Sequence, residues 1–327
     1  MTDRSLPPPE QQGRQEELSS EATSNMSTSP SAYVIVLNYN GAQLTLNCVD
    51  SVLKIDYPNF RVIVVDNGST DDSVIRFKEA FTDPRVELLV NDKNEGYAGG
   101  NNRGMVKALA AGADYIFILN NDTIVEPGCL TPLVEAMERD PSVGIAGCPL
   151  LGVGPRSPAV YGWRANLYIG DCVQWFDEPQ KPRFGEVDCI LGAAMLVRAE
   201  TVRRIGLFDS RFFLHFEDWE FCFRARRAGY RVTFVPSTSI QHLAGETMRW
   251  ARPKAVFYST RNRVWLVRRY GSFMQQVVFT LYAFLYMHPR RIFGRLIRRQ
   301  FNLLGPILRG IWQGHFVYPG PYTRNPL

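Results

Sequence analysis

The chain has 327 residues, 45% of them apolar and 21% charged, which is enough apolar material for one large α/β domain with an appended piece. Its six cysteines, Cys48, Cys129, Cys148, Cys172, Cys189 and Cys222, are scattered without a C-x-x-C pair; this argues against a disulfide framework or zinc site and for reduced core thiols. The net charge of +5 hides a division: residues 1–246 carry 23 basic and 32 acidic groups, a balance of −9, while the last 81 carry 14 basic groups and no Asp or Glu, so that end seeks anions.

Residues 1–31 are rich in Pro, Gln, Glu, Ser and Thr, so burial cannot offset the cost of ordering them and a disordered tail is expected. The tail lacks the apolar h-region of a secretory signal, which predicts that synthesis ends in the cytoplasm. Tyr33–Leu37 reads as a strand leading into Asn38-Tyr39-Asn40-Gly41; Thr45, Cys48, Val49, Val52 and Leu53 then recur at helical spacing until Tyr57-Pro58. A second strand, Phe60–Val65, runs into Asp66-Asn67-Gly68-Ser69-Thr70-Asp71-Asp72, where Ser69 followed by Asp72 fits a helix N-terminus. Helix Ser73–Phe81, strand Val86–Val90 and a Gly/Asn loop opening a helix that ends near Gly112 come next. Tyr115–Leu119 reads as a strand buried on both faces and ends in Asn120-Asn121-Asp122. Helix Leu130–Glu138 and strand Val143–Gly147 continue the alternation, which predicts a parallel sheet covered by helices, with right-handed crossovers.

From Leu150 to Gly185 the regularity gives way to Gly, Pro and aromatic residues, as expected of a variable excursion or substrate loop. Order returns with Val187–Val197, interrupted by Gly192, and with a short helix over Ala199–Ile205. Trp219, Cys222, Phe223 and Ala225 form the apolar side of a helix that Gly229 closes; strand Arg231–Val235 and a loop containing His242 follow. Residues 251–312 read as helices. Phe273–Met287 is strongly apolar but falls short of the roughly 20 residues needed to span a bilayer, so an interfacial or docking segment is expected.

In an open α/β sheet, ligands collect outside the carboxyl ends of the strands. Four segments fall there: Asp66-Asn67-Gly68, Asn94 to Asn102, Asn120-Asn121-Asp122, and Glu217-Asp218. Each has a bland alternative, since Asn and Asp favour turns, glycines permit close helix packing, and acids cap helix N-termini. The glycine spacing does not match G-x-G-x-x-G, which argues against a dinucleotide site.

In order, Val-Asp-Asn-Gly-Ser-Thr-Asp, Asn-Glu-Gly-Tyr-Ala-Gly-Gly-Asn-Asn, Leu-Asn-Asn-Asp, and Phe-Glu-Asp with Arg224 to Gly229 behind it resemble the family 2 inverting glycosyltransferases of GT-A fold. The likeness is greatest to their rhamnosyltransferase-like branch and covers roughly residues 33–265. It implies a mostly parallel GT-A nucleotide-binding sheet with helices on both faces over 32–250, and a basic, amphipathic helical extension over 251–327. By the same resemblance Tyr39 stacks near the donor base, Asp66 hydrogen-bonds the base, and Asn94, Gly96 and Asn101 line the ribose and sugar side. Asn120-Asn121-Asp122 stands where the family has D-x-D, so Asp122 is expected to ligate Mg2+ or Mn2+ bridging the donor diphosphate. The departure is Asn120, an amide in place of a carboxylate, which predicts weaker metal binding without a nucleotide. Asp218, beside Glu217, matches the catalytic base. His242 matches a histidine that joins the metal site in some relatives, although by itself it reads equally as solvent-facing.

The implied activity is transfer of rhamnose or another hexose from a dTDP- or UDP-sugar to a polysaccharide or lipid-linked acceptor, with inversion. A nucleotidyltransferase is one alternative; a non-catalytic scaffold that binds nucleotide sugar, motivated by Asn120, is another. Arg261, Arg263, Arg268 and Arg269 alternate with Val264, Trp265 and Leu266, either as a solvated basic face or as a contact for anionic lipid headgroups or an acceptor diphosphate. No nucleic-acid module accompanies them. A protein peripheral to the inner face of the cell membrane is expected.

Overall fold

The computed structural model describes residues 29–152, 160, 162–174, 185–243, 252–318 and 320–323. Most of the expected tail, residues 1–28, lies outside them. Strand β1 (Ala32–Asn38) is followed by α1 (Ala42–Val52), β2 (Phe60–Asp66), α2 (Ser73–Ala80), β3 (Val86–Val90), α3 (Gly96–Ala110) and β4 (Tyr115–Asn120). Then come β5 (Thr123–Val125), α4 (Leu130–Arg139), β6 (Val143–Gly147), β7 (Leu150–Gly152), β8 (Trp163–Asn166), β9 (Asp171–Gln174), β10 (Gly185–Glu186) and β11 (Ala194–Arg198). Helices α5 (Ala199–Ile205) and α6 (Glu217–Arg227), strands β12 (Arg231–Phe234) and β13 (Ile240–His242), and helices α7 (Arg252–Tyr270) and α8 (Phe273–Tyr282) complete the order up to a π-helical turn at Ala283–Met287. Helices α9 (His288–Ile297) and α10 (Leu304–Phe316) close it.

The main sheet has eight strands in the order β10-β12-β6-β11-β4-β1-β2-β3. β1 to β4 run parallel, β11 is antiparallel to both β4 and β6, and β10 is antiparallel to β12. Both faces are buried, which is why the central strands are unbroken apolar runs. Val34, Val36, Val62, Val64, Phe117 and Leu119 meet α1, α2 and α4 on one face. Ile35, Ile63, Val65, Ile116, Ile118 and Met195 meet α3, α5 and α6 on the other. All six cysteines are buried and free, in line with reduced core thiols.

Several expectations are corrected. The strand expected over Val187–Val197 is limited to Ala194–Arg198, and the excursion after Leu150 includes the antiparallel β8-β9 hairpin. Asp72 does stand at the N-cap of α2, but no side-chain cap forms; Ser69 instead turns back to β1, where its hydroxyl accepts from the Asn40 amide at 2.9 Å and from Asn38 Nδ2 at 3.1 Å. His242 lies at the end of a strand, not in a loop. Arg261, Arg263, Arg268 and Arg269 of α7 form no solvated face. Arg261 is buried against the carbonyls of Arg211 and Phe212, and Arg263 pairs with Asp171 at 2.9 Å. Arg268 donates to the carbonyls of Gly314 and His315, and Arg269 pairs with Asp209 at 2.9 Å and Glu220 at 3.2 Å. A helix expected to offer cations to a surface instead spends them holding α7 to the rest of the molecule. Among the described residues no helix is long and apolar enough to cross a membrane.

Candidate active site

The carboxyl edge of the main sheet opens into a cavity of about 410 Å³. β1 delivers Tyr39, β2 delivers Asn67, and β4 delivers Asn120, Asn121 and Asp122. The reversed direction of β11 matters here: Ala194 pairs with Leu119, so the residues entering β11, Leu191-Gly192-Ala193, arrive at the edge where β4 ends. Asn94 and Gly96 come from the start of α3, and His215, Glu217 and Asp218 from the turn that begins α6.

Gly96 must be glycine. Its φ is +77°, and a Cβ would lie 2.4 Å from the Phe213 carbonyl oxygen. That carbonyl accepts from the amides of Tyr97 at 2.6 Å and Ala98 at 3.3 Å, tying the first turn of α3 to the segment that carries Glu217 and Asp218.

Asp218 is buried, and its carboxylate accepts from the amides of Gly192 at 3.0 Å and Trp219 at 2.8 Å. Burial raises its pKa to about 6, the two amides pulling the other way. Glu217 is held well above the ordinary carboxyl range by burial and then by the adjacent Asp218, and its Oε2 is buried without a hydrogen-bond partner among the described residues. The pair therefore comprises one carboxyl that keeps its proton and one that releases it near neutrality. Tyr97 donates its hydroxyl to the Gly192 carbonyl at 2.7 Å, and burial above all keeps that phenol protonated.

A second sheet, β5-β13-β7, builds the other wall. β13 runs antiparallel to β5 with His242 opposite Thr123, and the Leu243 amide donates to the Asp122 carbonyl at 2.8 Å. This pairing sets His242 Nε2 3.1 Å from Asp122 Oδ1. Asn120 also lines the cavity, and its Oδ1 is buried with no partner among the described residues. Among those residues no group of three or more His, Cys, Asp or Glu is assembled. Carboxylate, imidazole and an unused amide oxygen are a donor set that fits a divalent ion such as Mg2+ or Mn2+.

Of the residues singled out in the sequence, Tyr39, Asn94, Gly96, Asn120, Asn121, Asp122, Glu217, Asp218 and His242 line this one cavity. Asp66 and Asn101 do not. Asp66 is fully buried behind the edge, with Oδ2 accepting from Asn38 Nδ2 at 2.8 Å and Oδ1 from the Ser69 amide at 2.9 Å. Asn101 is buried within α3 and donates to the Tyr97 carbonyl at 3.0 Å. Sequence reasoning missed Asn67, which reaches the Gly96 carbonyl at 3.0 Å and accepts from the Glu95 amide at 3.1 Å. It also missed Tyr97, Gly192 and His215, whose burial lowers the imidazole pKa and keeps the ring neutral. Lys254, on α7, carried no signal because it enters from the extension.

The chain is 30% identical over 225 residues to the O-antigen biosynthesis protein RfbC of Myxococcus xanthus, a stretch covering 65% of this chain and 17% of that one. It is 28% identical over 207 residues to the N-acetylglucosaminyl-diphospho-decaprenol L-rhamnosyltransferase of Mycobacterium tuberculosis, covering 55% of this chain and 66% of the relative. It thus spans less than two thirds of the length of either. The mannosyltransferase PcManGT from Pyrobaculum calidifontis, solved with GDP-Man and Mn2+, superposes with a TM-score of 0.58 at 17% identity over 89% of each chain, a likeness of fold. That fold is GT-A, with a helical extension at the carboxyl end. Residues 33–206, which include three of the four ordered motifs, match the profile described as glycosyl transferase family 2, and with the sheet and its edge so arranged, the chain belongs to that family.

Proposed function

We propose that the protein transfers a sugar, rhamnose or another hexose, from a dTDP- or UDP-sugar to a polysaccharide or lipid-linked acceptor, inverting the anomeric carbon. The observation that carries this reading is that Asp218 and the Asp122–His242 pair line one cavity at the carboxyl edge of the sheet. The names of the relatives, an O-antigen biosynthesis protein and a rhamnosyltransferase for a diphospho-decaprenol substrate, support the substrate class.

Asp218 accepts the proton of the acceptor hydroxyl as that oxygen attacks C1. A carboxylate with a pKa of about 6 is ionised at neutral pH yet more basic than a solvated one, which suits a general base. Glu217 keeps its proton and adds no second negative charge against the first. The amides of Gly192 and Trp219 fix the base from behind, and a single displacement inverts the centre. Asp122 and His242, with Asn120 beside them, would hold the divalent ion, which when bound offsets the charge growing on the leaving diphosphate.

The test is a screen of nucleotide sugars with and without Mn2+, reading released nucleoside diphosphate. Release with one donor, lost in Asp218→Asn, is expected. Pyrophosphate release would point to a nucleotidyltransferase, and donor binding without turnover to a scaffold.

We further propose that α8 to α10 rest on an anionic membrane surface at the inner face of the cell membrane. Phe273, Leu285, Ile297, Phe301, Trp312 and Phe316 are each at least 60% exposed, and Arg290, Arg298, Arg299 and Arg309 are exposed among them. No carboxylate follows Glu246 to repel a phosphate. Apolar side chains flanked by arginines fit the interface of an anionic bilayer.

A further inference from the structure

The segment Phe212–Phe216 leads directly into Glu217 and Asp218, and its backbone is unusual. Phe213, His215 and Phe216 have φ of +63°, +66° and +69°, three of the five non-glycine residues with positive φ among the described residues. Such conformations cost on the order of 1–3 kcal/mol each and persist only where the surroundings over-determine them. Carbonyls in such a run have no regular ladder to join, so their partners must come from elsewhere.

Most of those partners lie on α7. The Arg211 carbonyl accepts from Arg261, and the Phe213 carbonyl from the start of α3. The Phe216 carbonyl accepts from the Glu220 amide within α6. The other three, those of Phe212, Leu214 and His215, converge on one atom: Asn262 Nδ2, at 2.8, 3.0 and 2.7 Å; the Phe212 carbonyl also accepts from the Leu214 amide at 2.7 Å and from Arg261 at 3.4 Å, so only the latter two depend on Asn262 alone. Asn262 is fully buried, and its Oδ1 accepts from Arg261 Nε at 2.9 Å, which fixes which end of the amide faces the loop. Four residues earlier, the Tyr258 ring stacks on Phe213 at 4.8 Å.

We infer that Asn262 is a positioning residue for catalysis: a single amide on the carboxyl-terminal extension holds the left-handed turn that sets Asp218 in the cavity. The inference rests on the reading of Asp218 as the base. It extends that reading by making α7 a part of the catalytic apparatus rather than a mere attachment. An amide nitrogen with two hydrogens serves three carbonyls here, and no other uncharged side chain of that size offers two donors.

Asn262→Ser keeps one donor and Asn262→Ala none. In full-length protein the expected result is a fall in kcat of about 100-fold for the alanine variant, the cost of a displacement near 1 Å. The serine variant should fall between it and wild type, with KM for the donor within about threefold and the pH midpoint of transfer shifted below 6 as the turn loosens and Asp218 hydrates. Hydrogen exchange should rise at the amides of residues 213–220 and stay unchanged in β1. Folded variants with wild-type kcat and pH midpoint would overturn the inference. Failure of both variants to fold would overturn it as well, by assigning Asn262 to the fold as a whole. Asp218→Asn run alongside separates the two readings: if it leaves transfer intact the base assignment falls, and the exchange measurement still reports whether Asn262 holds the turn.

Discussion

At the level of single residues, the proposed chemistry divides between a carboxyl that loses its proton, Asp218, and a pair that would hold an ion, Asp122 and His242. Because the Asp218 pKa is raised from 3.8 to about 6 in the folded chain, unfolding favours release of that proton; the residue's contribution to stability is therefore best in acid and is lost as pH rises from about 4 through 6. With Asp218 as the proposed base, catalysis has the opposite dependence, since only the ionised form accepts a proton. The expected profile of kcat/KM climbs about tenfold per pH unit below 6 and levels off above it. Asp218→Asn should abolish the climb, lower transfer by about 10²- to 10⁴-fold with donor affinity retained, and leave the melting temperature at pH 8 no lower than wild type. Asp122→Ala should raise the Mn2+ concentration for half-maximal transfer by at least about 10-fold, with His242→Ala giving a smaller change; equal Mn2+ curves for all three proteins would remove the ion from that pair. Asp122 and Asp218 were legible because a carboxylate at the end of a buried strand and another at a helix start are recognisable in order along the chain. The burial of Asp66 was not, because it depends on Asn38 and Ser69 folding over it.

At the level of elements, the sheet was largely legible and its reversal was not. Unbroken apolar runs separated by helical spacing fix parallel strands, and the observed limits of β3 and β6 match those expected. Nothing in the spelling of Ala194–Arg198 says that the strand inserts backwards between β4 and β6, because an apolar strand buried on both faces reads alike in either direction. The three-residue β13 was equally hidden: a strand that short has no periodicity, and it is defined by its partners β5 and β7. The contact between α3 and the turn before α6 gives a sharp expectation at this scale. Gly96→Ala adds a Cβ to a left-handed residue facing the Phe213 carbonyl, so unfolding by urea should show a loss of about 1–3 kcal/mol. Transfer should fall as well, since the same carbonyl ties down the segment leading to Asp218. An unchanged unfolding midpoint would show that the two elements part without cost.

For the whole molecule, the charge division seen in the sequence survives, but its meaning changes along the extension. Arg261, Arg263, Arg268 and Arg269 of α7 are tied to the rest of the molecule, whereas Arg290 of α9, Arg298 and Arg299 just after it, and Arg309 of α10 are exposed beside apolar side chains. Composition could not separate the two sets, because both alternate with apolar residues and only the packed structure tells which side faces in. Phe273→Ser, Leu285→Ser and Ile297→Ser combined should reduce co-sedimentation with vesicles containing phosphatidylglycerol without changing transfer to a water-soluble acceptor. Unaltered co-sedimentation would place the membrane contact elsewhere. Deleting 273–327 is the poorer experiment. Trp265 donates to the carbonyls of Gln313 and Val317, and a Cβ at Gly314 would lie 2.9 Å from Val264, so the cut would unroof α7 itself.

The ion pairs of α7 have one more consequence, which concerns exchange of parts between relatives. Every acid that neutralises Arg263 and Arg269 lies outside the extension, at Asp171, Asp209 and Glu220. A chimera that borrowed a foreign carboxyl-terminal end without its matching acids would strand unpaired charge at the seam; for the buried acids Asp209 and Glu220, a lost partner costs about 3–5 kcal/mol. Recombination of such parts is therefore confined to swaps that carry both halves of the lock together.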